Sequence, residues 1–315
     1  MAGMSEGYVT SLVVVTNEAA GGTVEAATEA ALEVLRSGAD VRHETCREPG
    51  DLDRVLDGAG DRTVVVAGGD GSVHAAVQRL ESRGELSPER PLGLVPLGTG
   101  NDLARTVGLP LDPADAARVV LRGRLRPLDL LVDETGAVVV NAVHLGVGAE
   151  AAAMGEPLKD RLGMAAYAVG SVVAGATATG WSLRVVVDGA ELPVDGRVLM
   201  VAIANGRTIG GGTVLAPDAE PDDGVANVVV STSTGPLARL GFAVALRDGE
   251  PAGRDDVMAA SGRQVTVVGD PVLANADGEL FGPITSRTWT VRPAGWSVLA
   301  EDGSHPASDG RDDHL

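Results

Sequence analysis

The chain has 315 residues, 44% of them hydrophobic, which is enough to build two domains with separate cores. Acidic residues number 44 against 25 basic, a net charge of −19 that excludes a nucleic-acid partner and polybasic attachment to an anionic membrane. Aromatic residues make up only 2%, so Val, Leu and Ala must fill the interior, and the single cysteine, Cys46, rules out an internal disulfide or a multi-cysteine zinc site.

The N-terminal MAGMSEGYVTSLVVV has no basic region and too short an apolar run for a signal peptide, so it is expected to be the first strand of a cytoplasmic protein. Residues 11–16 form an apolar, β-branched run, followed by a polar turn from Asn17 to Gly22. Residues 24–35 carry apolar side chains at helical spacing, with Gly38 as a stop. Residues 43–49 read as a strand end or loop, and residues 52–56 as a short helix.

The stretch 64–105 organises the chain. Val64-Val65-Val66-Ala67 leads into Gly68-Gly69-Asp70-Gly71-Ser72 and a helical pattern from Val73. A second strand at 92–97 leads into Gly98-Thr99-Gly100-Asn101 and a helical pattern over 102–107. Parallel strands with helical crossovers bring both turns to the carboxyl edge of one sheet, where α/β proteins bind ligands. Glycine lets phosphate approach backbone N–H groups closely. A carboxylate such as Asp70 tolerates phosphate only with a cation between them, and Mg²⁺ is the hard, oxygen-preferring choice. The purely structural alternative is a pair of tight turns with Ser72 and Asn101 or Asp102 as helix N-caps.

Residues 112–122 read as a further helix with Pro113 in its first turn and Asp115 nearby. From Arg126 the pattern changes to short β-rich runs at 129–132, 137–143, 182–187, 198–203, 225–230, 264–268 and 288–291, which point to antiparallel sheets and a domain boundary near 130. The uncharged segment 162–183 is long enough to cross a bilayer, but its Ala, Gly, Ser and Thr supply little transfer energy, so a helix packed on a sheet is expected and no transmembrane span. The acidic tail at 304–315 is expected to be disordered.

The chain lacks a GxxxxGK[ST] loop, its one lysine is Lys159, and its histidines lack metal-ligand spacing. The acidic turn Asp218, Asp222, Asp223 and Gly224 reads as a structural loop, and Gly210-Gly211-Gly212 as a bulge or a close approach to ligand. Arg105 stands one turn into its helix, within reach of phosphate or of a surface ion pair. On its own, Ala276-Asp277-Gly278 is a two-residue hairpin turn.

In order and separation, AGGDGSVH, VPLGTGNDLAR, RPLDLL, LKDRLGMAAY, NGRTIGGG, APDAEPDDG and NADGE resemble the bacterial soluble diacylglycerol kinase family, over nearly all of residues 11–300. The resemblance implies a doubly wound N-terminal α/β domain of the phosphofructokinase and NAD-kinase kind over 1–130, with residues 292–303 returning to it. A C-terminal β-sandwich lipid-substrate domain would occupy 131–291, with the active site in the cleft between the two. By the same resemblance, Gly68, Gly69, Asp70, Gly71 and Ser72 would hold the phosphates of ATP. Gly98, Thr99, Gly100 and Asn101 would line the nucleotide site, with Asn17 beside them and Thr45 near the adenine. Asp70, Asp102 and Asp129 would organise Mg²⁺ and its waters, and Asp277, with Glu279 beside it, would accept the proton of the lipid hydroxyl.

Two departures stand out: Asn17-Glu18 replaces the Asn-Pro common in the family, and His74-Ala75 replaces the Asn-Glu after GGDG. The resulting expectation is an ATP- and Mg²⁺-dependent enzyme converting diacylglycerol to phosphatidic acid, cytoplasmic and in passing, peripheral contact with its membrane-borne substrate. The resemblance also allows a homodimer. The competing readings are a kinase of a soluble acceptor such as NAD or a sugar, and a catalytically weak regulatory protein that binds lipid or nucleotide.

Overall fold

The computed structural model describes residues 9–17, 22–48, 50–155 and 179–301. Glu18, the LKDRLGMAAY motif, most of the uncharged segment (162–178) and the tail lie outside the described residues. Backbone contacts divide the chain into two units, Met1–Leu128 with Gly295–Leu315, and Asp129–Ala294.

The first unit is built on four parallel strands, β1 (Ser11–Asn17), β2 (Asp40–Cys46), β3 (Thr63–Gly68) and β4 (Gly93–Pro96), in the order β2-β1-β3-β4. They alternate with α1 (Gly22–Gly38), α2 (Asp51–Asp57), α3 (Asp70–Ser82), α4 (Asp102–Thr106) and α5 (Pro113–Arg122). Strand β1 reads SLVVVTN and is buried from Leu12 to Val15, the continuous apolar run required when both faces of a sheet are covered. Leu12 and Val14 pack with Leu32 and Leu35 of α1 and with Ala117 and Val120 of α5. Helix α5 begins where Asp112 accepts the Asp115 N–H at 2.9 Å and Pro113 takes a position that needs no N–H partner.

The strand end read within 43–49 is the end of a full strand, β2, whose first residues were hidden because an edge strand with half-exposed polar residues shows no apolar run. One expectation needs correction here. Helix α3 begins at Asp70 rather than Val73, so Ser72 lies inside it and cannot be its N-cap; Gly69 holds that position without a side-chain bond.

The second unit is antiparallel. It comprises β5 (Arg124–Asp133), β6 (Val138–Val139), β7 (Ala142–Gly146), α6 (Val147–Gly155), β8 (Leu183–Val187), β9 (Ala190–Glu191), β10 (Met200–Ala204), β11 (Thr208–Ile209), β12 (Thr213–Val214), β13 (Ala226–Ser231), α7 (Pro236–Asp248), β14 (Val257–Gly262), β15 (Gln264–Ala276) and β16 (Glu279–Ala300). The main sheet runs β14-β13-β10-β7-β15-β16-β5-β6, with β8 and β9 attached through β15. Strand β15 pairs with β8 through Val265–Gly269 and, beyond a register shift, with β7 through Ala274–Ala276, which is how one strand serves both layers of the sandwich. Strand β10 is central: Val201 and Ile203 enter one apolar cluster and Met200, Ala202 and Ala204 the other.

The run expected at 137–143 is broken into β6 and β7, for a reason that belongs to Asp277 and is given below. The chain leaves the first unit on β5 and returns on β16, whose Val298 makes a parallel bridge to Leu92 just ahead of β4. Leu92 N–H donates to Ser297 O at 2.9 Å, and Leu299 N–H to Leu92 O at 3.0 Å.

Candidate active site

The strand order of the first unit fixes where its ligand crevice lies. From β1 the chain moves to β2 on one side and then crosses to β3 on the other, so the carboxyl ends of β1 and β3 flank a topological switch point. The register places Thr16 opposite Ala67 and opposite Thr45, and Gly68 opposite Pro96, so that Asn17, Thr45, the Gly68 turn and the Gly98 turn share one sheet edge. Thr45 Oγ1 lies 3.2 Å from Thr16 Oγ1, which also meets His43 Nε2 at 2.9 Å.

The two glycine turns are packed backbone against backbone. A Cβ at Gly98 would stand 2.5 Å from Gly69 Cα, and one at Gly69 3.0 Å from Gly98 Cα. Gly98 admits no side chain without a backbone shift and Gly69 only if Gly98 gives by a few tenths of an ångström, whereas a Cβ at exposed Gly71 would meet nothing within 4 Å. Asn101 pins the second turn in the left-handed region, at φ 53°, accepting the Gly98 N–H through Oδ1 at 3.0 Å and donating from Nδ2 to Gly98 O at 2.7 Å. Leu97 N–H bonds Gly68 O at 3.0 Å, tying the turns together once more.

Asp70 joins this assembly from the first turn. Its Oδ1 accepts the Leu103 N–H at 3.1 Å, an orphan donor in the first turn of α4. Helix α4 is therefore capped by the neighbouring turn; Asn101 is its N-cap residue by position but makes no side-chain cap bond, and Asp102 is buried at the first helical position. Arg105, one turn further on, donates from Nε to Gly100 O at 3.2 Å. The cavity among Gly68, Gly69, Asp70, Val73, Asn101 and Leu103 holds only about 10 Å³, room for a water molecule at most. On the outer side of the turns Gly71 and Thr99 are exposed. Cys46 is not poised for chemistry, because burial and the nearby Asp51 and Glu44 push its thiol above the ordinary range.

Asp277 sits in the second unit at the β15–β16 hairpin, as the turn chemistry of Ala276-Asp277-Gly278 requires: φ is 50° at Asp277 and 98° at Gly278. Its side chain does more than close a turn. Oδ2 accepts the Val140 N–H at 2.7 Å, and Oδ1 accepts those of Asn141 at 2.9 Å and Ala142 at 3.0 Å. The backbone at 140–142 bends to aim these three amides at one carboxylate, and that bend breaks the predicted 137–143 strand in two. Glu279 begins β16 and is exposed.

The amide nest is itself buttressed by a residue that sequence reasoning passed over. Asn205, 1% exposed, donates from Nδ2 to Asp129 O at 3.0 Å and to Val140 O at 3.1 Å, while the N–H groups of Asn205 and Gly206 bond Asn141 O. Asn141 Nδ2 donates to Thr208 O at 2.7 Å. An asparagine opening the NGR stretch gave no periodic signal; only its burial marks it.

Asp129, 2% exposed, accepts the Gly224 N–H at 2.6 Å and the Ala294 N–H at 2.9 Å, and its own N–H bonds Pro221 O. It clamps the acidic PDDG loop to the chain at Ala294. Burial raises its pKa, the two backbone N–H groups oppose that shift, and Asp223 and Asp222 add to it. Among the described residues, no group of three or more His, Cys, Asp or Glu side chains is arranged to hold a metal ion. In the first unit Asp70 and Asp102 stand on the two adjoining turns, and Asp70 presents a half-buried carboxylate there.

An α/β unit with interlocked glycine turns at its switch point, followed by an antiparallel sandwich, defines a two-domain class, and comparison with known proteins narrows it. Residues 11–132 match the model of the diacylglycerol kinase catalytic domain, and residues 141–300 that of the YegS C-terminal NAD kinase beta sandwich-like domain. A Klebsiella pneumoniae protein named "Probable lipid kinase YegS-like" is 31% identical over 268 residues, 83% of this chain and 86% of that one. One of the same name from Pseudomonas aeruginosa is 37% identical over 188 residues, 58% of this chain and 60% of the relative's length. A solved diacylglycerol kinase structure from Bacillus anthracis shares the fold, with TM-score 0.69 at 18% identity, over 93% of this chain and 97% of that one. A further chain from that organism gives TM-score 0.73 at 20% identity, over 93% and 98%. The chain belongs to the YegS-like lipid kinase family, with a diacylglycerol-kinase-type catalytic domain.

Proposed function

We propose that this protein is an ATP- and Mg²⁺-dependent kinase that phosphorylates a lipid hydroxyl, with diacylglycerol as the acceptor and phosphatidic acid as the product. The observation that carries the proposal is the backbone interlock of the Gly69 and Gly98 turns at the switch point, which leaves Gly71 open on the outer side. Such turns are of use to a phosphate that must approach backbone closely, and phosphoryl transfer asks mainly for alignment and charge neutralisation.

Gly68, Gly69, Gly71 and Ser72 are assigned to the phosphates, with Gly98, Thr99, Gly100 and Asn101 shaping the second wall. Asn17 and Thr45, on the same sheet edge, are assigned to the nucleoside side. Asp70 is the residue suited to a hard cation, with Asp102 beside it; Asp129, both of whose oxygens already accept backbone N–H groups, acts by holding the PDDG loop. ATP supplies the γ-phosphoryl group, and the lipid hydroxyl that attacks it gives its proton to Asp277. Three amides fix the Asp277 carboxylate, so it would meet its substrate without reorganising. Glu279 adds negative charge next to it.

Incubation with labelled ATP and Mg²⁺, offering lipids in mixed micelles in parallel with NAD and sugar acceptors, tests the proposal. Label should enter the lipid extract. Label in NAD would instead support the soluble-acceptor reading, which the NAD-kinase-like description of the C-terminal match keeps in view. ATP binding with no transfer to any acceptor would support a regulatory binding protein.

A further inference from the structure

Helix α7 is anchored along one side and bare along the other. Phe242 is buried in the cluster of Met200, Ala202 and Leu215, and Leu246 packs against the same cluster. Arg254, paired with Asp256 at 2.7 Å, donates to Ala238 O at 3.3 Å and lies against Gly241, where a Cβ would strike its guanidinium. The helix is thereby fixed in rotation. Its outer face presents Leu237, Leu240 and Val244, which are 85%, 64% and 40% exposed and spaced to form one stripe. The large apolar residues exposed among the described residues are these three together with Leu111 and Leu125, so three of the five, including the two most exposed, share a single helix face. Scattered exposed leucines need no explanation; a stripe does.

Charge permits the occupant and area selects it. The helix carries Arg239 and Arg247 against Asp248, which accepts the Arg247 Nε–H at 2.9 Å, so this face is near neutral within a protein of net charge −19 and is spared the repulsion that the rest of the surface would meet at a membrane. A single stripe of three side chains falls short of the roughly 1,200 Å² that a stable protein interface buries. We propose that α7 is a membrane-docking helix, lying in the plane of a lipid–water interface with Leu237, Leu240 and Val244 inserted. The inference rests on the lipid-kinase reading for its purpose. Three apolar side chains suit a reversible contact, as an enzyme that must leave its product requires.

The test is co-sedimentation of the full chain with phosphatidylcholine vesicles, with and without phosphatidylglycerol, for wild type and the double variant Leu237→Gln/Leu240→Gln. Both changes are at solvent-facing positions, and an unchanged thermal melt would confirm that the variant folds. The double variant should bind both kinds of vesicle at least ~10-fold more weakly. Phosphotransfer to vesicle-embedded diacylglycerol should fall in parallel, whereas transfer to a short-chain, water-soluble diacylglycerol should not. Vesicle binding lost in the double variant but no lipid phosphorylated by wild type would uphold docking and sink the kinase reading. Equal vesicle binding by wild type and double variant, or a wild-type dimer that the double variant dissolves in place of vesicle binding, would overturn the docking proposal.

Discussion

Replacing Gly98 by alanine probes the interlock on which the nucleotide assignment depends. The added methyl would stand 2.5 Å from Gly69 Cα and 2.9 Å from Asn101 Oδ1, against backbone and against a side chain already fixed by two bonds to Gly98. Relief requires the turns to separate, and overpacking of that kind costs about 1–3 kcal/mol. Loss of the Asn101 bonds and of the Asp70 to Leu103 bond adds about 1 kcal/mol each if the turns part far enough. A loss of about 1–3 kcal/mol from overpacking alone, rising to about 4–6 kcal/mol if all three bonds go, should lower the melting temperature by roughly 2–4 °C per kcal/mol. Gly71→Ala is the control: its Cβ meets nothing within 4 Å, and alanine in a helical turn should leave the stability unchanged or raise it by up to ~0.5 kcal/mol. Differential scanning fluorimetry with and without ATP reads both variants. Gly98→Ala should be destabilised and blind to ATP, while Gly71→Ala should melt like wild type yet lose most of the ATP-induced shift. A Gly98→Ala protein as stable as wild type would refute the backbone interlock, and a Gly71→Ala protein with full ATP response would refute the placement of phosphate on that loop.

Other outcomes follow from the second unit. Asp277→Ala leaves the amides of Val140, Asn141 and Ala142 without their acceptor and should cost about 3–5 kcal/mol, whereas Asp277→Asn, which keeps the shape, should cost about 1–2 kcal/mol; urea unfolding that shows no difference between the two would discount the nest. Asn205→Ala should lower stability by about 2–4 kcal/mol, since the carbonyls of Asp129 and Val140 lose a buried donor, and an unchanged melt would remove Asn205 as the buttress. His144, whose pKa burial lowers to about 4 and whose buried Nδ1 has no hydrogen-bond partner, is carried neutral in the fold. Its contribution is present above the unfolded value near 6.5 and is lost as pH falls toward 4, by up to roughly 3 kcal/mol. Asp129, raised by burial, works in the opposite sense, so the His144 share is the part of the pH-dependent loss of stability that His144→Gln removes; a His144→Gln profile parallel to wild type would contradict it.

Much of the first unit was legible because its signals are local. Apolar β-branched runs, glycine turns and helical spacing each occupy a few consecutive residues, and β1, β3, β4 and α5 lie close to where those patterns put them. The capping of α4 by Asp70 was not legible, because the donor and acceptor are joined only by the packing of Gly69 on Gly98. In the second unit, the 137–143 run looked continuous because nothing in it announces a carboxylate that arrives from Asp277. Helix α7 escaped notice for a different reason: Phe242 and Leu246 are apolar on the inner side and Leu237, Leu240 and Val244 on the outer, so no polar face marks the period. The feature that hid it from a pattern search is the one that suggests its role.

The measurement closest to the central claim is phosphotransfer from labelled ATP to diacylglycerol in mixed micelles, run on wild type and Asp277→Asn with ATP affinity determined on the same samples. The account predicts Mg²⁺-dependent labelling of the lipid by wild type, and a variant that binds ATP equally but transfers at least ~10²-fold more slowly. Equal transfer by both proteins would remove Asp277 from the chemistry, and no labelled lipid from either, with ATP bound, would contradict the lipid kinase itself.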